Sequence, residues 1–250
     1  MNLRDLLRFT FRKKLPSEFG GGYLIVSPRA DRRVLSPGWS RCAPDLAEVA
    51  RRFVQRNDTV WDIGSNLGIF SAFAAGKVGE NGAVFAVEPD PYYANLISRS
   101  ASKLPAGYAR IEILCAAVAD RVGIEHLSVS GSGHAKNSLI SGQLAKVERV
   151  IPVCITTLDT LCETWAVPNV LKIDVEGAES LVLKGATRIL SEHRPKLYIE
   201  VSQHNESEVG KILSANNYSL FKLSLDGKDT PIGTPDFYTI ALPKESIGNI

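Results

Sequence analysis

Cysteine is scarce in this 250-residue chain, and its four cysteines include no C-x-x-C pair. Nothing in their spacing indicates a disulfide framework, so we expect free thiols and a cytoplasmic location. No apolar run approaches the ~18 residues of a membrane-spanning helix. The first residues also lack the long apolar segment and the small-residue cleavage site of a signal peptide.

An excess of charge of one sign is also lacking, because the formal net charge is only +2. Residues 1–14 carry a net +4, so the remainder of the chain carries −2. A body without a strongly basic balance predicts no obligate nucleic-acid partner. The hydrophobic content of 44% is ordinary for a globular protein, and the length suits one domain with a sizeable core.

Against these absences stands one glycine loop that follows a strand-like apolar run and precedes a helix-like one. The loop consists of Asp62, Ile63, Gly64, Ser65, Asn66, Leu67 and Gly68. Glu88 closes a second apolar run twenty residues further on. Gly64 permits close approach of a ligand to the backbone, and Gly68 permits tight packing of the helix. A carboxylate at Glu88 can accept hydrogen bonds from ribose hydroxyls, so the pattern predicts a nucleoside-binding βαβ unit.

The loop also indicates which nucleoside is bound. Its glycines do not follow the G-x-G-x-x-G spacing that places a pyrophosphate against bare backbone. Asp62 would repel a pyrophosphate, but a carboxylate suits the cationic part of S-adenosylmethionine. The D-x-G-x-x-x-G loop resembles motif I of the class I methyltransferases.

Hydrophobic periodicity predicts an α/β fold, and the resemblance of the loop implies that this fold is of the Rossmann-like, class I methyltransferase type. We expect a mostly parallel, seven-stranded sheet with helices on both faces and a C-terminal antiparallel hairpin. A predicted helix that begins at Pro44 precedes the first strand of this sheet, and the hairpin joins 218–223 to 237–242. The strands expected to be parallel are 59–63, 83–88, 111–118, 170–175 and 196–201.

The sequence divides into an appendage, residues 1–43, and a cofactor-dependent domain, residues 44–250. Residues 2–14 have the spacing of a basic amphipathic helix. Contact with a membrane surface or partner is one interpretation, and packing on its own domain or on a second copy in a homodimer is the other. Residues 23–26 and 33–35 are predicted to pair as a small hairpin around Pro28.

A second polar cluster follows the fourth predicted strand, in K-I-D-V-E-G-A-E. Because ligands bind beyond the carboxyl ends of parallel strands, we expect Asp174 to lie beside the glycine loop. Neighbouring carboxylates repel one another and raise a pKa, which suits a base or a group that orients a hydroxyl. We assign that role to Asp174 and Glu176, whereas Glu179 is expected to cap the following helix.

The motifs D-I-G-S-N-L-G, A-V-E-P-D-P, T-T-L-D-T-L, L-K-I-D-V-E-G-A-E and Y-I-E resemble, in this order, those of the FkbM-type methyltransferases over roughly residues 40–242. The resemblance implies S-adenosylmethionine as methyl donor and a hydroxyl acceptor, often on a sugar or a polyketide. It also implies cofactor contacts. Asp62, Gly64, Asn66 and Gly68 would hold the methionine part, Glu88 with Pro89 the ribose, and Ala117 and Asp120 the adenine. Asp174 and Glu176 would face the sulfonium and the acceptor.

Several alternatives remain open. His204, just past the fifth strand, is the rival to Asp174 and Glu176 as catalytic base. His134, with Asn137 and Ser138, belongs either to a lid over the acceptor or to a flexible loop. No ligand spacing requires a metal, so none is expected. A methyltransferase acting on a macromolecule and a non-catalytic cofactor-binding scaffold are the alternatives to a small-molecule or glycan O-methyltransferase.

Overall fold

A computed structural model describes residues 9–130 and 147–249 of the chain. Residues 2–8 of the predicted basic helix lie outside the described residues. So do His134, Asn137, Ser138 and most of the glycine-serine loop before them. Within the described part, no helix is both long and apolar enough to cross a membrane.

One large mixed sheet of eight strands forms the centre of the fold. In chain order its strands are β3 (Thr59–Ile63), β4 (Ala83–Val87), β5 (Arg110–Leu114), β9 (Val170–Ile173), β10 (Lys196–Glu200), β11 (Tyr218–Lys222), β12 (Thr230–Ile232) and β13 (Tyr238–Pro243). Their spatial order is β12-β11-β13-β10-β9-β3-β4-β5. The five strands from β10 to β5 are parallel, whereas β13, β11 and β12 pair antiparallel.

The predicted fold is therefore confirmed: a mostly parallel sheet that ends in an antiparallel β11–β13 hairpin. The short edge strand β12 is an addition to the seven predicted strands. The strand order reverses between β3 and β9, because β4 and β5 follow on one side of β3 whereas β9 and β10 lie on the other. The carboxyl ends of β3 and β9 therefore form a topological switch point, where ligands bind in open α/β sheets.

The helices are α1 (Pro44–Phe53), α2 (Ile69–Val78), α3 (Pro91–Ala101), α4 (Leu158–Leu161), α5 (Glu179–Lys184) and α6 (Glu206–Ala215). One core cluster lies between α1, α2 and α3 and the sheet face that carries Val60, Val170 and Tyr198. A second cluster covers the opposite face, where Trp61 and Leu171 point. Because side chains alternate along each strand, the two faces have separate cores.

The N-terminal segment differs from the prediction. Strand β1 (Phe11–Lys14) pairs antiparallel with β2 (Tyr23–Val26), so residues 11–14 are extended rather than helical. Residues 32–35 form a 3₁₀ turn and are not the hairpin partner of β2. The N-cap Asp31 favours that turn, because its side chain accepts a hydrogen bond from the backbone of Arg33.

Side chains of this segment are also part of the main core. Phe19 and Trp39 are buried and contact the ring of Phe73 on α2. The division between residues 1–43 and 44–250 stays a prediction.

The predicted third strand, 111–118, is split in two. Strand β5 ends at Leu114, and β6 (Ala117–Val118) leaves the large sheet. It pairs with β8 (Val147–Thr156), which in turn pairs with β7 (Gly123–Ser130). The resulting three-stranded sheet lies beside the carboxyl end of β4, next to the site described below.

Replacement of Gly76 by alanine tests the contact between the N-terminal segment and α2. A Cβ at Gly76 would lie 2.2 Å from the carbonyl oxygen of Phe19, a clash that only backbone movement can relieve. We expect Gly76→Ala to destabilise the protein by about 1–3 kcal/mol, although alanine is the better helix former. Chemical denaturation measures this change. Gly233→Ala is the control because nothing lies within 4 Å of its added Cβ, and an equal loss there would contradict the prediction.

Candidate active site

The glycine loop between β3 and α2 is held in a conformation that few residues adopt. Gly64, Asn66 and Gly68 have φ values of 73°, 52° and 71°. A Cβ at Gly64 would lie 1.7 Å from the carbonyl oxygen of Asp174, so only glycine permits the loop to cross the end of β9 there. At Gly68 an added Cβ would press on Ile97 of α3. The two glycines thus serve close packing of loop, strand and helix.

Asp62 lies at the end of β3 and is fully buried. One carboxylate oxygen, Oδ2, accepts hydrogen bonds from the backbone N–H of Ser71 at 3.0 Å and from its hydroxyl at 2.5 Å. The other oxygen lies 2.9 Å from Nζ of Lys172. Asp62 therefore fixes the first turn of α2 and neutralises a buried lysine.

The parallel register explains this ion pair. It places Asp62 directly beside Lys172 of β9, and Lys172 directly beside Tyr198 of β10. Two residues further along, on the same sheet face, come Asp174 and Glu200. Strand β13 adds Tyr238, the register partner of Glu200. The face consequently presents two parallel rows of polar side chains at the carboxyl edge of the sheet.

Lys172 links these rows to the loop. Its Nζ donates to the carbonyl oxygen of Gly64 at 2.6 Å and lies 3.8 Å from Oδ2 of Asp174. Burial by itself would lower the pKa of Lys172, but the carboxylates of Asp62 and Asp174 outweigh it and raise this pKa. The lysine is therefore a permanent cation under the active edge.

Glu88 follows β4 and lies on the other side of the loop. Its carboxylate accepts hydrogen bonds from the backbone N–H groups of Asn66 and Asp90, both at 2.8 Å. Burial raises the pKa of Glu88 to about 7, although these two hydrogen bonds oppose the shift. Each carboxylate oxygen retains a lone pair for a ligand hydroxyl.

A first cavity, called here the cofactor cavity, opens beside Glu88. Its walls are mainly apolar and come from β3, β4, the chain between β5 and β6, and β7. The lining residues are Ile63, Gly64, Asn66, Val87, Glu88, Pro89, Tyr93, Ala116, Ala117, Val118, Leu127, Asp174, Val175 and Glu176. An apolar slot with one carboxylate fits an adenosine, because the base is planar and the ribose carries hydroxyl donors. The buried Oδ1 of Asn66, which has no hydrogen-bond partner among the described residues, fits a donor on the rest of the cofactor.

A second cavity, called here the acceptor cavity, adjoins the first. It shares Asn66, Asp174 and Glu176 with the cofactor cavity. Its further lining is far more polar and includes Asp31, Arg33, Asp45, Lys172, Glu200 and Tyr238. Glu176 has a φ of 51°, a left-handed conformation that turns the chain sharply at the border. The geometry thus provides two compartments with Asp174 and Glu176 between them.

Carboxylates crowd the acceptor cavity. The hydroxyl of Tyr198 lies 2.9 Å from Oδ2 of Asp45 and 3.4 Å from Oε1 of Glu200. Burial, reinforced by the negative charges of Asp174 and Asp45, raises the pKa of Glu200 to about 9. Burial likewise raises the pKa of Asp174, although Lys172 opposes the shift. Glu200 therefore holds a proton at neutral pH.

The structure brings together many of the predicted site residues. Gly64, Asn66, Glu88, Pro89, Ala117, Asp174 and Glu176 all line the cofactor cavity. Asp62 and Gly68 lie behind its wall and support the loop. The carboxylate of Asp120 is instead solvent-exposed and pairs with Arg121 at 3.2 Å. Val118 and Leu127 line the cofactor cavity and Asp120 does not, so its contact with the adenine stays a prediction.

His204 is not brought to the two cavities. It lies in a 3₁₀ turn after β10, with its Nε2 3.4 Å from Nδ2 of Asn205, and it lines a separate surface cleft with Lys211 and Pro235. Its role as the rival base to Asp174 and Glu176 stays a prediction.

The expectation that Glu179 caps α5 is wrong, because the N-cap residue is Ala178, without a side-chain cap hydrogen bond, and Glu179 lies in the first turn of the helix. Its role is structural in another way. It is buried and accepts hydrogen bonds from the backbone N–H of Gly177 at 2.7 Å and from Nδ2 of Asn205 at 2.6 Å. These bonds fix the turn that carries Glu176.

Sequence reasoning missed Lys172, Glu200, Asp45 and Tyr238 as site residues. The signals for two of them were present: Lys172 is a lone cation in an apolar strand, and Glu200 ends the motif Y-I-E. In the described residues no group of three or more His, Cys, Asp or Glu side chains is arranged to hold a metal ion. The expectation of no metal stays a prediction.

Comparison with known proteins places this geometry in context. The sequence model of the methyltransferase FkbM domain matches residues 62–222. Hexuronic acid methyltransferase AglP of Haloferax volcanii is 27% identical over 196 residues, which cover 76% of this chain and 75% of that protein.

Solved structures share the architecture at low sequence identity. Aeropyrum pernix fibrillarin, solved with S-adenosyl-L-methionine, superposes with a TM-score of 0.50 at 13% identity and covers 93% of both chains. An FkbM methyltransferase from Methylobacillus flagellatus gives a TM-score of 0.49 at 16% identity. The match covers 90% of the present chain and 58% of the Methylobacillus chain. The fibrillarin likeness shows the fold alone.

Removal of the buried lysine tests the ion pair. Lys172→Met leaves Asp62 as an uncompensated buried carboxylate, so we expect a loss of about 3–5 kcal/mol in the free energy of unfolding. The double variant Asp62→Asn/Lys172→Met removes both charges and should recover part of that loss. Urea denaturation of the three proteins measures the changes. A single variant as stable as the wild type would contradict the ion pair's structural role.

The raised pKa of Glu200 predicts a pH-dependent stability. Between its ordinary value of 4.5 and about 9, the folded protein holds a proton that the unfolded chain releases, so stability falls as pH rises. The raised pKa of Glu88 contributes to this fall in stability only up to about pH 7. Above pH 7 the contribution of Glu200 is therefore the larger of the two. Glu200→Gln should flatten the fall in Tm between pH 7 and 9, by about 2–4 °C for each kcal/mol removed. Parallel Tm profiles for the wild type and the variant would refute the assignment.

Proposed function

The chain belongs to the methyltransferase FkbM family, whose domain spans residues 62–222, and we propose that it methylates a hydroxyl group of a sugar or glycan. The enzyme is an S-adenosylmethionine-dependent methyltransferase. The observation that carries the proposal is the pair of adjoining cavities with Asp174 and Glu176 at their border. The named activity of the Haloferax relative on a hexuronic acid supports a sugar as acceptor class.

In the cofactor cavity, Glu88 would receive the ribose hydroxyls, and the alanine-rich wall around Ala117 would hold the adenine. Pro89 shapes the turn after Glu88. The loop from Gly64 to Asn66 would hold the methionine part through backbone groups and the buried Oδ1 of Asn66. Asp62 would act indirectly, because it fixes this loop through Lys172 and Ser71.

When bound, S-adenosylmethionine supplies a methyl group on a sulfonium, which the acceptor oxygen takes as the carbon–sulfur bond breaks. Asp174 and Glu176 would orient the acceptor hydroxyl at the border of the cavities and take its proton. The raised pKa of Asp174 suits this task, because a base works best when its pKa lies near the operating pH. The positive charge of the nearby Lys172 limits this rise in the pKa of Asp174. Alignment of the acceptor oxygen with the methyl group at the border of the two cavities would supply a large part of the rate enhancement.

Three further expectations keep the status of proposals: a cytoplasmic location, a homodimer, and contact of residues 2–14 with a membrane surface or a partner. All four cysteines are free thiols, which supports a reducing compartment.

The roles of the border carboxylates can be separated from cofactor binding. Asp174→Asn and Glu176→Gln should each bind S-adenosylmethionine with little change. At least one of them should lower kcat by about 10²–10⁴-fold, the range of general-base catalysis. Calorimetric titration gives the affinity, and S-adenosylhomocysteine release over a panel of hydroxylated sugars gives the rate. Glu192→Gln, an exposed carboxylate outside both cavities, is the matched control.

Two results would contradict the proposal. Correctly folded wild-type protein that does not bind S-adenosylmethionine would remove the cofactor site. Unchanged turnover in both border variants would remove the assigned base.

A further inference from the structure

The acceptor cavity has an uneven charge balance. Five carboxylate side chains line it, namely those of Asp31, Asp45, Asp174, Glu176 and Glu200. Of the described residues in its wall, Arg33 and Lys172 are the basic ones. Each of these cations is already engaged, because Arg33 pairs with Asp31 at 2.8 Å and Lys172 with Asp62 at 2.9 Å. Little positive charge is left to receive an anionic ligand.

We propose that this cavity admits an uncharged or cationic polyol and rejects an acceptor that carries a carboxylate. This inference rests on the proposed methyltransferase function. A carboxylate brought among these side chains would meet like charges in a poorly solvated space, where Coulomb repulsion is strong. A polyol or an amino sugar instead brings O–H and N–H donors, which carboxylates accept. A carboxylate oxygen is therefore excluded as the acceptor atom, in agreement with the proposed transfer to a hydroxyl group.

The positions of the carboxylates show that they lie close together in one part of the cavity. Asp174 and Glu200 occupy adjacent strands at the same height of one sheet face. Asp45 comes from α1, yet its carboxylate and that of Glu200 both contact the hydroxyl of Tyr198. The raised pKa of Glu200, caused by burial and by Asp174 and Asp45, is what mutual repulsion in such a cluster produces.

Matched sugars test the inference directly. The full chain is supplied with S-adenosylmethionine and, separately, with the methyl glycosides of glucose, glucuronic acid and glucosamine, and with the same three forms of galactose. We expect kcat/KM for the neutral or amino member of a series to exceed that of the uronic acid by at least about tenfold. This ratio corresponds to about 1.4 kcal/mol, and the repulsion between two like charges a few ångströms apart in a protein cavity reaches at least that energy.

Charge-removing variants separate electrostatics from shape. Asp45→Asn should raise the uronate-to-neutral ratio of kcat/KM several-fold at pH 7. Glu200→Gln should change this ratio little at pH 7, where Glu200 is protonated, and should raise it above pH 9, where the wild type gains a further negative charge. Glu192→Gln, at an exposed position outside both cavities, should leave the ratio unchanged. A merely structural role for Glu200 would not produce this pH dependence.

The outcomes distinguish the inference from the function it rests on. Methylation of uronic acids as efficient as that of the neutral sugars would overturn the inference and leave the methyltransferase function intact. Transfer to none of the six sugars by protein that binds the cofactor would overturn the sugar acceptor itself, and the inference with it.

Discussion

A buried lysine between two carboxylates is the constraint on which the active edge depends. Lys172 stands in the middle of the central sheet, where a charge is tolerated only with partners. Asp62 is one partner, the carbonyl of Gly64 is another, and Asp174 is the third. The same contacts tie β3, the glycine loop and the end of β9 together. The loop geometry that a cofactor requires is therefore built on a buried ion pair.

The two faces of the sheet divide the work. One face presents apolar side chains such as Ile63, which continue from the core into the cofactor cavity. The other face presents the rows that contain Asp174 and Glu200, and these continue into the acceptor cavity. Because side chains alternate along a strand, one residue shift would exchange the two surfaces. The register of β3, β9 and β10 is therefore what separates an apolar cofactor site from a polar acceptor site.

Much of the fold could be predicted from the sequence because it follows from local periodicity. Apolar runs such as residues 170–173 and the stripe on α1 mark strands and helices wherever the chain is packed. The strand at residues 11–14 was missed, since its pairing with β2 is a tertiary contact that four residues do not reveal.

The site was predictable in part for the same reason. Because Asp174 follows a strand, the sequence places it near the ligand-binding edge of the sheet. The sequence does not show which of the two cavities the side chain of a residue on the next strand enters. Glu200 ends the fifth parallel strand and His204 follows it four residues later, yet Glu200 lines the acceptor cavity whereas His204 lines a different surface cleft. Lys172 could be recognised as a lone cation, whereas its partner Asp62 follows only from the register of the strands.

The wall of the acceptor cavity adds a further reason: Asp31, Arg33, Asp45 and Tyr238 lie outside residues 62–222, the part that matches the family. Family motifs consequently describe the cofactor site and the border carboxylates, while the outer wall that meets the acceptor is built from segments that these motifs do not reach.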